Sequence, residues 1–570
     1  MIKTTKNLKK ILSNKDFKIL YIIFFLMVIN GLIEAFSIGI LIPLLSVFFI
    51  ETANSAINNY LLNILEFLNL GNSVQILLMI TFSIYVFKYV YLIFFTAIKS
   101  KFLLNLNSQL KTKMFRGYID QPLTFHSNTN SSFLISTIDK EVGIFINNYL
   151  SSSLMLLMNC LTSIFIVTLL LIVNFKVTLI ILLIFMFFLI LSNKLFSSKL
   201  KKIGLERQKN EKFYMKYLRQ GLDGIIEVKM LNFKEKLIKN FFFHINKIVK
   251  IGVIRSIIGI LPKVLFEFIF VSIVFAIIAY THYSGNSLDR IFTTLVIYAT
   301  AAFRLMPAMN AISFNYQKRK FASAALNNIS DTFKNFKKSN ENSLVLENQF
   351  HEIKFNKFIK IKNLTFFYPD TKSPIIENLE IEINKEDKIG IIGSNGSGKT
   401  TLLSLICGLL KPSLGTIEAD NINIHDNINY WQKKIGYIPQ TIYLFDESLS
   451  RNICLSQEVD ENKINKIIKK CQLEDLVSKL PQGLNTLIGE RGSKLSGGEK
   501  QKIAIARALY RDPEILLFDE FTSAMDLETE NRFVEEINSK YNEKTIIIVS
   551  HRESALKHCN KIYNMDNKLS

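Results

Sequence analysis

Residues Gly393–Thr400 read GSNGSGKT, between an apolar run at Lys388–Ile392 and a helix expected to open near Thr400. The glycines at 393, 396 and 398 let the backbone curl so that its N–H groups converge on phosphate oxygens at the positive end of that helix. Ser394, Asn395 and Ser397 complete the curl, and Thr401 follows it. Lys399 is placed to bridge the β- and γ-phosphates of ATP, and the Thr400 hydroxyl to hold Mg²⁺. Farther along, ILLFDE (Ile515–Glu520) ends an apolar strand with two carboxylates. Asp519 can bind Mg²⁺ through water, and Glu520 can polarise the water that attacks the γ-phosphate. ATP and Mg²⁺ are therefore the cofactors this half of the chain implies.

The half that precedes it is of another kind. The chain has 570 residues, too many for one core, and its hydrophobic share of 49% with 46 Phe is spread unevenly. Before residue 310 long stretches carry almost no charge, which is a membrane signature. Six spans are expected, at about Ile19–Ile50, Val74–Ile98, Asn148–Val173, Val177–Leu191, Ile257–Tyr280 and Ile291–Met309. The connections at 51–75, 174–176 and 281–290 hold at most one Arg and no free run of Lys, so they face outward. Those at 99–140 and 194–255 are long and rich in Lys and Arg, so the helices continue into the cytoplasm and both termini are cytoplasmic. The net charge of +21 sits in these loops, where anionic lipid collects it, and argues against a nucleic-acid partner. The five cysteines show no CxxC spacing and fall mostly in the ATPase half; neither disulfide nor metal ligation is expected. The basic start, MIKTTKNLKK, runs into an apolar stretch too long for a signal peptide, so it is read as part of the first span. The apolar runs stop after Arg319, giving a membrane domain at 1–325, a linker at 326–350 and an ATPase domain at 351–570. The fold class is thus a polytopic α-helical membrane domain fused to an α/β P-loop domain.

Four further motifs carry a resemblance. They are Tyr368 in LTFFYPD, Gln440 in GYIPQ, LSGGEKQ at Leu495–Gln501, and His551 in IIIVSHR. With the phosphate loop and DE strand they resemble the ABC superfamily, and six spans followed by one ATPase domain resemble its exporter-type half-transporters. The resemblance implies that Tyr368 stacks on adenine, and that Gln440 senses Mg²⁺ and the attacking water beside the membrane-domain contact. It implies that His551 holds the γ-phosphate and orients Glu520. Ser496, Gly497, Gly498 and Glu499 would face the γ-phosphate held by a second subunit, and Asp526, in SAMD, would lie on the loop crossing between subunits. A homodimer with two competent sites follows. Glu499 stands where Gln is usual, and its negative charge is expected to slow turnover modestly. Long cytoplasmic helices would carry crossing segments near 121–132 and 217–227.

Charge inside the spans bears on the substrate. At 1.5 Å per residue Lys88 lies about 21 Å, Arg304 about 20 Å and Lys263 about 26 Å below the outer ends of their spans, one layer of cations. Such groups face a water-filled cavity or partners, and they suit an anionic, phosphate-bearing substrate. Glu34 and Glu267 sit at similar depth, and Lys263 with Glu267 is an i,i+4 pair, so structural pairing stands as the other reading. AAFRLMPAMN (301–310) and LPKVLFE in the fifth span resemble the lipid-linked oligosaccharide flippases of bacterial protein N-glycosylation. That resemblance implies basic residues at Lys88, Lys263 and Arg304 receiving a pyrophosphate-sugar headgroup at the cytoplasmic (inner) membrane. Two of the three are Lys where the family carries Arg, which loses the planar fork. Ile57, Leu61, Ile64, Leu65 and Leu68 recur at helical spacing, as in an interfacial helix guiding a polyprenyl tail. A multidrug, peptide or other lipid exporter is the alternative. The absence of a cysteine before Cys160 disfavours a peptide exporter with an N-terminal protease, and a gated channel would be expected to lose Glu520.

Overall fold

The computed structural model describes residues 2–40, 74–173, 175–284, 306–344, 352–369, 371–456, 458–521, 535 and 541–566. It divides into two compact units, Met1–Gln121 with Thr129–Lys338 and Pro122–Asn128 with Ser339–Ser570.

The first unit is helical. Helices α1 (Ile2–Ile11), α2 (Asn14–Gly39) and α3 (Val74–Ile119) lead to the short α4 (Leu123–Asn128), which clusters with the second unit. The chain is then helical from Ser131 into α5 (Ser151–Val173), widening to π geometry at Thr137–Glu141 and Phe145–Leu150. Next come α6 (Phe175–Asp223), α7 (Ile225–Met230), α8 (Lys234–Ser284), α9 (306–321) and α10 (Ser323–Leu344). Among the described residues three stretches are long and apolar enough to cross a membrane: Asn14–Ser37, Leu78–Ile119 and Ser131–Ile172. They overlap the first three expected spans, the second running on past Ile98 and the third starting well before Asn148.

The fourth and fifth expected spans fall on α6 and α8, helices of 49 and 51 residues that are not among those three stretches. At 1.5 Å per residue each is about 75 Å long against a hydrocarbon core of about 30 Å, so both continue far outside it. The short helix α4 stands where the first crossing segment was expected, whereas α7 overlaps the second only at 225–227, because residues 217–223 still belong to α6. The sixth span before residue 306, the first beyond residue 40, and the 57–68 segment lie outside the described residues.

Packing explains which faces are used. In α3, Phe102, Leu103, Leu106, Leu110 and Met114 recur at helical spacing and are buried. Met79, Phe82, Val90 and Ile93 of the same helix are exposed, the apolar outer face that lipid requires. One crossing is especially tight. A Cβ on Gly204 of α6 would collide with the backbone carbonyl oxygen of Phe321 at the end of α9, so only glycine admits this approach. The Phe321 ring is met by the guanidinium of Arg255 from α8, 4.4 Å from its centroid, and by that of Arg207 from α6 at 5.6 Å. Arg207 is itself bound to Glu141 at 3.1 Å and Glu211 at 2.7 Å, with side-chain exposures of 5%, 1% and 14%.

The stretch read as a helix tail passing into a linker is helical as far as Leu344. Residues 326–344 continue α10, because Ala322, Ala325, Leu326, Ile329 and Phe336 present one buried stripe. Phe336 packs edge-on against Tyr118 with centroids 5.1 Å apart, and a Cβ on Gly117 would meet its ring. The polar residues between those positions made the segment read as a tail.

The second unit holds two sheets. An antiparallel sheet, β2 (Ile376–Asn384), β1 (Phe358–Phe366), β4 (Leu414–Ala419) and β5 (Ile422–Asn423), pairs in that order. A parallel sheet has the order β6 (Ile435–Ile438), β7 (Ile515–Asp519), β8 (Thr545–Val549), β3 (Lys388–Ile392), β9 (Lys561–Asn564). Strands β7 and β8 are buried throughout, as central parallel strands are. Their alternation feeds two cores. Leu516, Phe518, Ile546 and Ile548 join one, whereas Ile515, Leu517, Ile547 and Val549 join the other with Leu402, Leu405 and Trp431. The carboxyl ends of β3, β6, β7 and β8 therefore converge on one edge, where ligands of open α/β sheets bind.

Candidate nucleotide site

The phosphate loop leaves β3 at that edge. Gly393, Gly396 and Gly398 have φ of +151°, +86° and +98°, in the region closed to most side chains, and nothing lies within 4 Å of a Cβ placed on Gly396. Helix Lys399–Ile406 begins directly behind, so its N–H groups face the curl. Lys399 is 6% exposed and its Nζ donates to the carbonyls of Gly393 and Ser394, each at 2.9 Å. An ammonium has three protons, which leaves one for a phosphate oxygen. Ser397 Oγ is buried with no hydrogen-bond partner among the described residues, a polar atom that a phosphate oxygen would satisfy. These features fit a nucleotide triphosphate. Tyr368 is half-buried, edge-on to Phe366, and its hydroxyl is 3.2 Å from Thr401 Oγ1, beside the loop helix.

The carboxylates sit where β7 ends. Thr400 Oγ1 donates to Asp519 Oδ1 at 3.1 Å, and Asp519 is 1% exposed. Burial pushes its carboxyl above the usual carboxylate range, against the opposing donors Thr400 and Tyr437. A hydroxyl and a buried carboxylate are hard oxygen donors of the kind Mg²⁺ takes. Glu520 is held between two elements. Gln440 Nε2 donates to its Oε2 at 2.6 Å, and His551 Nε2 lies 3.3 Å from its Oε1. The three residues expected to be catalytic thus meet, although 111 residues of sequence separate the first from the last. Glu520 also has φ +46°, a left-handed conformation uncommon for a side chain this long, of the sort found where a structure holds a group for its chemistry.

The signature forms the start of helix Gly497–Tyr510. Ser496 is its N-cap, and Glu499 closes a reciprocal box with Ser496: Oε2 accepts from the Ser496 N–H at 2.7 Å and from its hydroxyl at 2.8 Å. The charge of Glu499 is therefore turned back onto the cap. Gln performs the same capping role, so Glu499→Gln is expected to change ATP turnover less than about three-fold, as steady-state phosphate release will measure. Asp526 lies outside the described residues.

Two residues of the site were assigned no role from the sequence, although one of them, Tyr437, is the tyrosine of GYIPQ. Asp566, after β9, accepts from the Ser394 N–H at 2.7 Å and the Ser394 hydroxyl at 2.6 Å, which hold its carboxyl below the usual range. Tyr437 on β6 donates to Asp519 Oδ2 at 3.1 Å. Both contacts join strands distant in sequence, and only the fold displays them.

The three membrane cations do not share one environment. Lys263 and Arg255 line a cavity of about 660 Å³ between α8 and α9, with Ser256, Gly259, Asn310 and Phe314. Glu267 lies 3.8 Å from Lys263, both side chains more than half exposed. Lys88 differs from the expectation of a cavity cation. Its Nζ is 2.7 Å from Glu34 and 3.3 Å from Ser37 Oγ, and the side chain is 7% exposed, so it ties α3 to α2. The cost of an isolated charge in hydrocarbon is what enforces that pairing. Arg304 lies outside the described residues.

This fold and this site define a helical membrane unit joined to a P-loop nucleotide-binding unit. The chain belongs to the ABC transporters: the ABC transporter transmembrane region matches residues 20–305, and the ABC transporter family matches residues 376–523. It is 37% identical over 215 residues to an ATP-dependent lipid A-core flippase of Pseudoalteromonas translucida (strain TAC 125), 37% of each chain. It is 30% identical over 371 residues to a protein of the same name from Wigglesworthia glossinidia brevipalpis, 63% of this chain and 62% of that one. A solved bacterial Atm1-family ABC exporter with ATP bound superimposes with a TM-score of 0.76 at 19% identity, covering 97% of this chain and 94% of that one, which shows the fold. The matched segments thus span between about a third and two thirds of the length of these curated relatives.

Proposed function

We propose that this chain is an ATP-driven exporter of an anionic lipid-linked substrate, with a polyprenyl-pyrophosphate-linked oligosaccharide as the foremost candidate, acting as a homodimer in a bacterial cytoplasmic membrane with both termini inside. The observation that supports the energy source is the convergence of Gln440 and His551 on Glu520. Residues 393–401 bind the triphosphate of ATP, Tyr368 meets its base, the signature residues Ser496–Glu499 close over the γ-phosphate from a second copy, and Asp526 belongs to the loop that crosses between subunits. Thr400 and Asp519, with Gln440 beside them, would hold Mg²⁺, which when bound would supply positive charge to the phosphates. Glu520 takes the proton of the attacking water, and His551 and Gln440 fix its carboxylate in position for that task. Lys399 and the loop N–H groups stabilise charge as the bond to the leaving phosphate breaks. ATP favours the closed pair, and hydrolysis removes that bias, so the membrane unit alternates between two states.

Support for an anionic substrate comes from the cavity between α8 and α9, where Lys263 and Arg255 stand with the hydrogen-bonding side chains Ser256 and Asn310. A phosphate and sugar hydroxyls match that lining, and Arg304 is kept as a further contact. A second reading, a lipid phosphorylated on its sugars, is favoured by the lipid A-core flippases among the relatives. Proteoliposomes containing a fluorescent polyprenyl-pyrophosphate glycan, a phosphorylated diglucosamine lipid or a neutral dye separate these readings. Lys263→Gln is expected to lower transport of the anionic lipid about ten-fold at subsaturating concentration, the loss of one charge-assisted contact. Transport of the neutral dye at the same rate as both lipids would overturn the anionic assignment.

A further inference from the structure

Strand β6 pairs in parallel with β7, Tyr437 opposite Leu517 and Ile438 opposite Phe518. Paired residues project to the same face, and Asp519 is two residues beyond Leu517, so Tyr437 and Asp519 share a face at the carboxyl edge. The Tyr437 hydroxyl reaches Asp519 Oδ2 at 3.1 Å while Thr400 reaches Oδ1 at 3.1 Å. Each oxygen of this buried carboxylate therefore has its own donor, on opposite sides of the group.

We propose that Tyr437 is a positioning residue for the divalent cation: its hydroxyl fixes the plane of the Asp519 carboxylate and so sets the metal affinity of the nucleotide site. This rests on the reading of the site as a metal-assisted ATPase. Asp519 is 1% exposed, so water does not readily replace a lost donor, and a carboxylate with only one fixed oxygen is free to turn about its Cβ–Cγ bond. Tyr is suited to the task because its phenolic hydroxyl donates to the carboxylate from the end of a rigid ring. Partners of this second layer typically contribute 10- to 100-fold to metal affinity. Gln440 lies two residues beyond the end of β6, so the strand and the bend that follows it supply one contact to each carboxylate of the Asp519–Glu520 pair.

The test uses full-length protein in nanodiscs, loaded with ADP, with Mn²⁺ as the probe and free Mn²⁺ read by electron paramagnetic resonance. Tyr437→Phe is expected to weaken Mn²⁺ binding about ten-fold. Nucleotide affinity in EDTA is expected to stay within about two-fold, because the hydroxyl touches the carboxylate and not the loop. The Mg²⁺ concentration giving half-maximal turnover should rise in parallel, with the rate restored at saturating Mg²⁺. Unchanged Mn²⁺ affinity would overturn the proposal while leaving the ATPase reading intact. An equal loss of nucleotide affinity in EDTA would also overturn it, as general damage to the pocket. Failure of the unsubstituted protein to bind Mn²⁺ with nucleotide would overturn both.

Discussion

Glu520→Gln is expected to lower ATP turnover on the order of 10² to 10⁴-fold while leaving ATP binding intact. The amide is nearly the same size and still accepts a hydrogen bond from Gln440, whose Nε2 lies 2.6 Å from the Glu520 Oε2 position. It cannot take a proton from water. Its backbone would remain at φ +46°, a conformation no easier for Gln than for Glu, so the change isolates chemistry from local geometry. Single-turnover hydrolysis and filter-retained ATP measure the two quantities separately. The variant should accumulate as an ATP-bound pair of subunits, seen by native mass spectrometry. Turnover at the unsubstituted rate would remove Glu520 from its assigned role.

Arg207→Met should carry the largest stability effect in the membrane unit, about 3–5 kcal/mol. Glu141 and Glu211 both depend on this guanidinium, at 3.1 Å and 2.7 Å, and Glu141 is 1% exposed. Without it a buried carboxylate has to take up a proton or draw in water, and the ring of Phe321 loses one of its two cations. Thermal unfolding in detergent is expected to shift downward by several degrees, roughly 5–10 °C by the usual scaling. Adding Glu141→Gln should recover part of the loss, because the pair is coupled. An unshifted midpoint in Arg207→Met would show that the cluster contributes nothing to stability.

What could be read from the chain follows a physical division. The loop at 393–400 and the acidic end of β7 were legible because phosphate and metal chemistry demands particular residues in short order, with an apolar strand before them. Long helices were legible from hydropathy and basic loops. Rotation about a helix axis was not. Glu34 and Lys88 are 54 positions apart in sequence, and nothing in either span says that their faces meet, so Lys88 read as a cavity group. Tyr437 and Asp566 were hidden for a similar reason: their contacts cross 82 and 172 residues. The π segments leave no mark either, since Thr137–Glu141 and Phe145–Leu150 have ordinary helical composition. How far the helix tail runs into residues 326–344 was hard to read because a narrow buried stripe on a polar helix has little mean hydropathy.

The glycine crossing beneath Phe321 governs how the membrane unit can deform. With carbonyl against Cα on one side and a guanidinium from each of α6 and α8 on its ring, Phe321 rivets α6, α8 and α9 into one stiff spar. Helices packed that closely leave no room at this point for a larger side chain than glycine. The π-widened turns at Thr137–Glu141 are moored to that spar through the Glu141–Arg207 pair.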